Sequence, residues 1–234
     1  VKTGDCLILD YFKMKLTRNN ILKFSGLSCA SVAVAGAVRA EGTTAPMSTP
    51  ALPFALTTPM HVDQAALRVR DLAAMTAFYI KVLGLKEISR GDAKVVLGAG
   101  NAPLLTLEHV PSAEYESQTA AGLFHIAYLM PTRKDLARWL VHAAMNQIQF
   151  TGFADHNVSE AIYLNDPEGN GIEVYRDRTP QEWVYQPDGT VNMSTLRLNL
   201  QELYDSAPKA TFDKAADGTA IGHIHLQVGD IPQA

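Results

Sequence analysis

The chain has 234 residues, 47% of them apolar, with a net charge of −4 and two cysteines. That is enough apolar material for one or two packed domains, and the acidic balance argues against a nucleic-acid surface and gives no ground for binding an anionic membrane. Cys6 and Cys29 both lie near the start. Neither a disulfide framework nor a cysteine zinc site fits that placement, so a metal would have to be held by His, Asp, Glu or Gln.

Residues 1–59 read differently from the rest. Lys13, Lys15, Arg18 and Lys23 form a basic stretch without acidic partners, followed by "FSGLSCASVAVAGAV" and "RAEG". A basic region, a short apolar run and small residues at a cleavage site predict a secretory signal. Val38 and Ala40 fit the small-residue positions, Glu41 would be the first mature residue, and Met14 the true start, with residues 1–13 an upstream extension. "TRNNILK" is similar to a twin-arginine export motif with Asn19 in place of the second arginine. The expectation is an exported, periplasmic protein; the alternative is a cytoplasmic one with a disordered leader. The apolar run is too short and too rich in Ser and Gly to span a membrane, so the mature protein should have no such span. "EGTTAPMSTPALPFALTTP" reads as a linker, and the folded part should begin near Met60.

From there the chain repeats itself. "ALRVRDL" at 66–72 returns as "HLQVGDI" at 225–231, in the frame Leu-x-Val-x-Asp-apolar, and "HIAYLMPTRKDLARWL" between them has the same strand-then-helix plan. In the first unit, residues 64–69 alternate as a strand. Asp71 is placed to cap a helix whose apolar face is Leu72, Met75, Phe78, Tyr79 and Val82, and Gly84 ends it. "AKVVLGA" and "APLLTLEHV" follow as strands, with another expected in "KEISR". In the second unit "FHIAYLM" is the strand and Thr132 the cap. Leu136, Trp139, Leu140 and Ala143 form the helix face, and "EAIYLND" and "GIEVYRD" a hairpin turned by Pro167, Gly169, Asn170 and Gly171. Residues 179–220 read as a connector. A third unit, at 221–234, offers only a first strand and the start of a helix.

The alternation also sorts polar groups. His125 lies between Phe124 and Ile126, and Glu173 between Ile172 and Val174; His223, His225 and Gln227 share a face opposite Ile224, Leu226 and Val228. A wet sheet face accounts for such residues, and so does a cavity in which imidazole and carboxylate hold Fe, Mn, Zn or Ni. His156, after Asp155, reads either as a loop residue or as a catalytic base beside the metal. Phe124, Tyr128, Tyr163 and Tyr175 fit core and substrate contact equally well.

The tandem units, "FYIKVLGL", "DHNVSEAIYLNDPEGNGIEVYRDR" and "IGHIHLQVGD" resemble the vicinal-oxygen-chelate superfamily: glyoxalase I, bleomycin-resistance proteins and extradiol dioxygenases, and within it bacterial catechol-2,3-dioxygenase-like proteins. The resemblance covers residue 60 onward. It implies an α+β fold of tandem βαβββ modules paired into a curled sheet cup, with a first domain at 60–178 and a second, truncated one from 221. Relatives continue further, so the chain is expected to be a fragment whose last strand lacks a partner sheet. The implied metal positions are Gln64, His125 and His223 on first strands and Glu108 and Glu173 on last strands. Two sets compete: Gln64, Glu108, His125 and Glu173, as in a glyoxalase-like isomerase or lyase, or His125, Glu173 and His223, a two-His-one-carboxylate triad as in a dioxygenase. The activity implied first is ring cleavage of a small aromatic diol with O₂, using Fe(II), with Mn, Zn or Ni as alternatives and a homodimer as the candidate assembly. A metal-free ligand-binding module is the remaining alternative.

Overall fold

The computed structural model describes residues 53–115, 117 and 119–234. The signal-like segment, both cysteines and most of the linker lie outside the described residues. The first unit contains β1 (Ala65–Val69), α1 (Leu72–Leu83), β2 (Lys86–Gly91), β3 (Lys94–Ala99) and β4 (Ala102–His109). The second contains β5 (Gly122–Leu129), α2 (Arg133–Met145), β6 (Phe150–Asp155), β7 (Ser159–Asn165) and β8 (Gly171–Asp177). The short helix α3 (Leu200–Asp205) and strand β9 (Ala220–Gln227) follow.

Each unit builds its sheet in the same way. The first strand runs parallel to the last, and the remaining strands add antiparallel, giving β1-β4-β3-β2 and, in the second, β6-β7-β8-β5. A parallel first and last strand requires a crossover, and the helix supplies it. Both helices start where the sequence places them: the Asp71 carboxylate accepts from Ala74 N at 2.9 Å, and Thr132 Oγ1 accepts from Asp135 N at 3.2 Å. The cap closes amide groups that the first turn leaves unsatisfied. Each unit is therefore an α+β module of the kind predicted.

The apolar strand faces and the helices share one core that includes Leu67, Met75, Tyr79, Leu107, Ile126, Trp139 and Ile172. Polar contacts fix the two units together. Trp139 Nε1 donates to Val82 O at 2.8 Å, and the Tyr79 hydroxyl donates to Asp166 Oδ2 at 3.0 Å. The Glu168 carboxylate accepts from the amides of Arg70 and Asp71, both at 2.9 Å. The turn between β7 and β8 thus caps the beginning of the first unit's helix.

Three features differ from the sequence expectation. Strand β6 is present although "FTGFAD" does not alternate; Phe150 and Phe153 pack against the core and pair with β7 across a register shift beside Gly152. Residues 54–57, inside the expected linker, form a 3-10 turn, and Ala55 packs against Ala127, Leu129, Ala161 and Tyr175. The last strand does have a partner: β9 joins the second unit's sheet, antiparallel to β5. Ile221, in β9, is fully buried in the common core, which ties residues expected to open a separate domain to the second unit. The two units' sheets are not hydrogen-bonded to each other among the described strands. No helix among the described residues is long and apolar enough to cross a membrane.

Candidate metal centre

The site lies on the face of the second sheet that points away from the helices. On the central strand β5, Ala127 is opposed by Glu173 of β8 on one side and by His223 of β9 on the other. His125 lies two residues earlier on the same face. The alanine methyl leaves the space above it open, and three longer side chains close over it. Gly222, just before His223, is required by the packing: a Cβ there would collide with the Tyr175 hydroxyl.

The donor atoms converge. His125 Nε2 is 2.8 Å from Glu173 Oε2, His223 Nε2 is 3.2 Å from the same oxygen, and the two imidazole nitrogens are 3.4 Å apart. Ligands held about 2.1 Å from one ion and at right angles around it are about 3 Å from each other, so these separations fit a shared divalent cation. The cluster is the one group of three or more such side chains, among the described residues, that could do so. Glu173 is 3% exposed and His125 5%, while His223 stands at the open side. Burial pushes the Glu173 carboxyl up, but His125 and His223 outweigh it and hold its pKa down to about 2. An ionised, buried carboxylate between two imidazoles is a hard-and-borderline donor set suited to Fe, Mn, Zn or Ni.

A second line of contacts leads away from Glu173. Tyr163 of β7 is its direct cross-strand neighbour. The Tyr163 hydroxyl is 2.9 Å from His156 Nε2, and His156 Nδ1 is 2.7 Å from Ser194 O. A carbonyl only accepts, so Nδ1 carries hydrogen, and in the neutral ring Nε2 accepts from the tyrosine. Burial, and then the negative charge of Glu173, raises the Tyr163 pKa. His225 packs edge-on against His125, with ring centroids 4.8 Å apart, and burial followed by the two other imidazoles lowers its pKa. A cleft of about 770 Å³ opens beside the cluster, lined by Leu123, Phe124, His125, Gly152, Tyr163 and Gln227 among others. That volume is ample for a small aromatic molecule.

The structure brings together His125, Glu173 and His223, with His156 reaching them through Tyr163. It does not bring Gln64 or Glu108 to them. Both lie on the first unit's sheet, four register positions apart, because Glu108 is opposite Arg68 whereas Gln64 precedes Ala65. Gln64 Nε2 donates to Thr106 Oγ1 at 2.7 Å, and Glu108 faces Lys94 at 3.7 Å. The four-residue set is therefore not assembled. The reason is one of frame. Aligned on the caps Asp71 and Thr132, Gln64 corresponds to His125, and the register then makes Thr106, not Glu108, the counterpart of Glu173. Glu108 is on the right face but two residues too far along. Tyr163 is the residue that sequence reasoning left undecided; its position directly across from Glu173 in the hairpin is the signal that singles it out.

Comparison with known proteins agrees with this architecture. The chain is 38% identical over 176 residues to the catechol-2,3-dioxygenase of Bacillus subtilis (strain 168), an alignment covering 74% of this chain and 61% of the relative. It is 31% identical over 121 residues to biphenyl-2,3-diol 1,2-dioxygenase 3 of Rhodococcus globerulus, covering 50% of this chain and 64% of that protein. The chain thus spans less than two thirds of the length of these curated relatives. A solved glyoxalase/bleomycin resistance protein/dioxygenase from Alicyclobacillus acidocaldarius superposes with a TM-score of 0.44 at 20% identity, over 54% of this chain and 98% of that one. The family model of the Glyoxalase/Bleomycin resistance protein/Dioxygenase superfamily matches residues 61–174, and this segment, which contains His125 and Glu173, belongs to that superfamily.

Proposed function

We propose that His125, Glu173 and His223 hold a single divalent metal ion, Fe(II) foremost, and that the protein is an extradiol-type dioxygenase acting on a catechol-like aromatic diol with O₂. The observation that carries this reading is the convergence of two imidazole nitrogens and one carboxylate oxygen within 3.4 Å of one another. Two histidines and one carboxylate leave coordination positions open, and both curated relatives are named as dioxygenases of aromatic diols. Gln64 and Glu108 stand elsewhere, so the isomerase set gains no support.

When bound, the ion supplies Lewis acidity and redox capacity at a site open to two small reactants. The protein residues do the remaining work. Leu123 and Phe124 give the cleft an apolar wall for an aromatic ring. The Tyr163 hydroxyl, beside Glu173, takes a proton from a diol hydroxyl as its own proton passes to His156 Nε2. The Ser194 carbonyl fixes the imidazole in the tautomer that can accept it. Burial of Glu173 and His125 keeps bulk water from competing for the same donors.

The test uses the full chain loaded with Fe(II) under anaerobic conditions, then given catechol and air. The expected result is uptake of one O₂ per catechol and a yellow ring-opened product. Tyr163→Phe should keep its iron and its KM within a few-fold but lose about 100-fold in kcat, the usual scale for removing a positioned acid–base group. Full iron occupancy without oxygen uptake, on catechol or on substituted catechols, would overturn the proposal. A stable metal-free protein that binds the diol unchanged would instead favour a binding module.

A further inference from the structure

The helix caps put the three first strands in one frame. Asp71, Thr132 and Asp230 follow β1, β5 and β9 at the same distance, so Gln64, His125 and His223 are equivalent, as are Asp63, Phe124 and Gly222. In that frame the pairing of β5 with β9 is symmetric. Ile126 faces Ile224 at the centre, with His125 opposite His225 and Ala127 opposite His223 on either side. The register then slips past Phe124 on β5 and past Gly222 on β9, which are equivalent residues. Beyond those bulges, Leu123 faces Leu226 and Tyr128 faces Ile221, again a symmetric pair of pairs. The first strand of a unit is thus an edge that pairs antiparallel with another first strand about a local two-fold axis.

Strand β1 carries the same edge, and in the described chain it ends its sheet, bonded to β4 alone. It is also only half formed. Strand β5 begins at Gly122, the equivalent of His61, whereas β1 begins at Ala65; residues 61–64 belong to no strand. His61, Asp63 and Gln64 are exposed. An edge strand with exposed backbone groups is a template for pairing.

We propose that β1 pairs antiparallel with β1 of a second copy of this chain, about a two-fold axis through Ala65, with residues 61–64 completing the strand. Gln64 then faces Ala66 of the second copy, Asp63 forms the bulge, Val62 faces Leu67 and His61 faces Arg68. The charges match: Asp63, which binds His61 Nε2 at 2.9 Å, comes beside Arg68 of the other copy, and the same contact recurs across the axis. Ala65 on the axis is small enough for close approach, and a two-fold closes the edge on itself, leaving nothing to propagate. This dimer does not depend on the metal reading, because the first unit has Gln64 and Thr106 where the second has His125 and Glu173.

The test is the mass of the full chain in solution, by light scattering and sedimentation, with two variants. Wild type should be a dimer at micromolar concentration. Gln64→Glu combined with Ala66→Glu sets carboxylates opposite each other in both cross-strand pairs and should weaken the dimer at least tenfold. Gln64→Cys combined with Ala66→Cys should cross-link the dimer on oxidation, and neither single variant should. Opposed antiparallel residues have Cα atoms about 4.5–5.5 Å apart, within reach of a disulfide. A monomer at about 100 μM in which the amides of residues 61–68 are protected from hydrogen exchange would show that the chain covers this edge itself and would overturn the proposal. So would a monomer without that protection, or a dimer that the charge variant leaves intact and the cysteine pair does not cross-link.

Discussion

In the second unit, the equivalent positions of the first and last strands carry an imidazole and a carboxylate, His125 and Glu173, 2.8 Å apart. In the first unit they carry an amide and a hydroxyl, Gln64 and Thr106, 2.7 Å apart. The backbone frame is shared: parallel first and last strands, the same offset between them, and a capped helix at the same distance. What differs is the donor chemistry and the strand alongside. Strand β9 brings His223 to the second unit's pair, whereas β1 ends its sheet. A curled sheet can therefore hold two polar tips together without making a metal site. The site needs charge, neutral imidazole nitrogens and a third strand.

The comparison can be broken at its strong end. Glu173→Gln preserves shape and removes the charge that both imidazoles face, and it should cost at least 100-fold in metal affinity. The next effect in size concerns stability. Glu160, 3% exposed on the helix side of β7, accepts from Arg133 Nε and Arg176 Nε at 2.7 Å each. Register gives its counterpart in the first unit as Ala93. Glu160→Ala should cost about 3 kcal/mol in urea unfolding, because it leaves two partly buried arginines without their carboxylate. Burial raises the Glu160 pKa, but Arg133 and Arg176 lower it further, so the folded pKa is depressed. Its contribution is then full above the unfolded value of about 4.5 and is lost as pH falls through the folded value, so the gap between wild type and Glu160→Gln should shrink in acid. The smallest effect belongs to the first unit's pair. Thr106→Val should cost under about 1 kcal/mol and leave metal content unchanged, since it removes one neutral hydrogen bond whose donor can turn to water.

Much of this was legible in the sequence, for physical reasons. The period of two along "FHIAY" and "GIEVY" puts His125 and Glu173 on the faces opposite the core, and "HIHLQV" does the same for His223. Asp71 and Thr132 announce their helices because a side-chain acceptor is what a helix start requires. Glu108 was expected at the site and is not there, because a face can be read from one strand but a register is set between two. Nothing within "LLTLEHV" reveals that Thr106, rather than Glu108, lies opposite the strand position next to Gln64. Strand β6 was missed because Gly152 and the register shift beside it break the alternation in "FTGFAD". The pairing of β9 with β5 joins residues about a hundred positions apart, and no local pattern encodes such a contact. Tyr163 stayed ambiguous because an aromatic ring on a strand satisfies a core and a cleft equally; only its place opposite Glu173 distinguishes them.

The most direct test is metal content. Full-length protein incubated with excess Fe(II) without oxygen, and in parallel with Co(II), is freed of unbound ion and its metal counted. The account predicts one ion per chain for wild type and for Thr106→Val, and an ion lost on dilution from Glu173→Gln and His223→Ala. Wild-type protein that retains no ion, or a Glu173→Gln variant that holds one as tightly as wild type does, would contradict it.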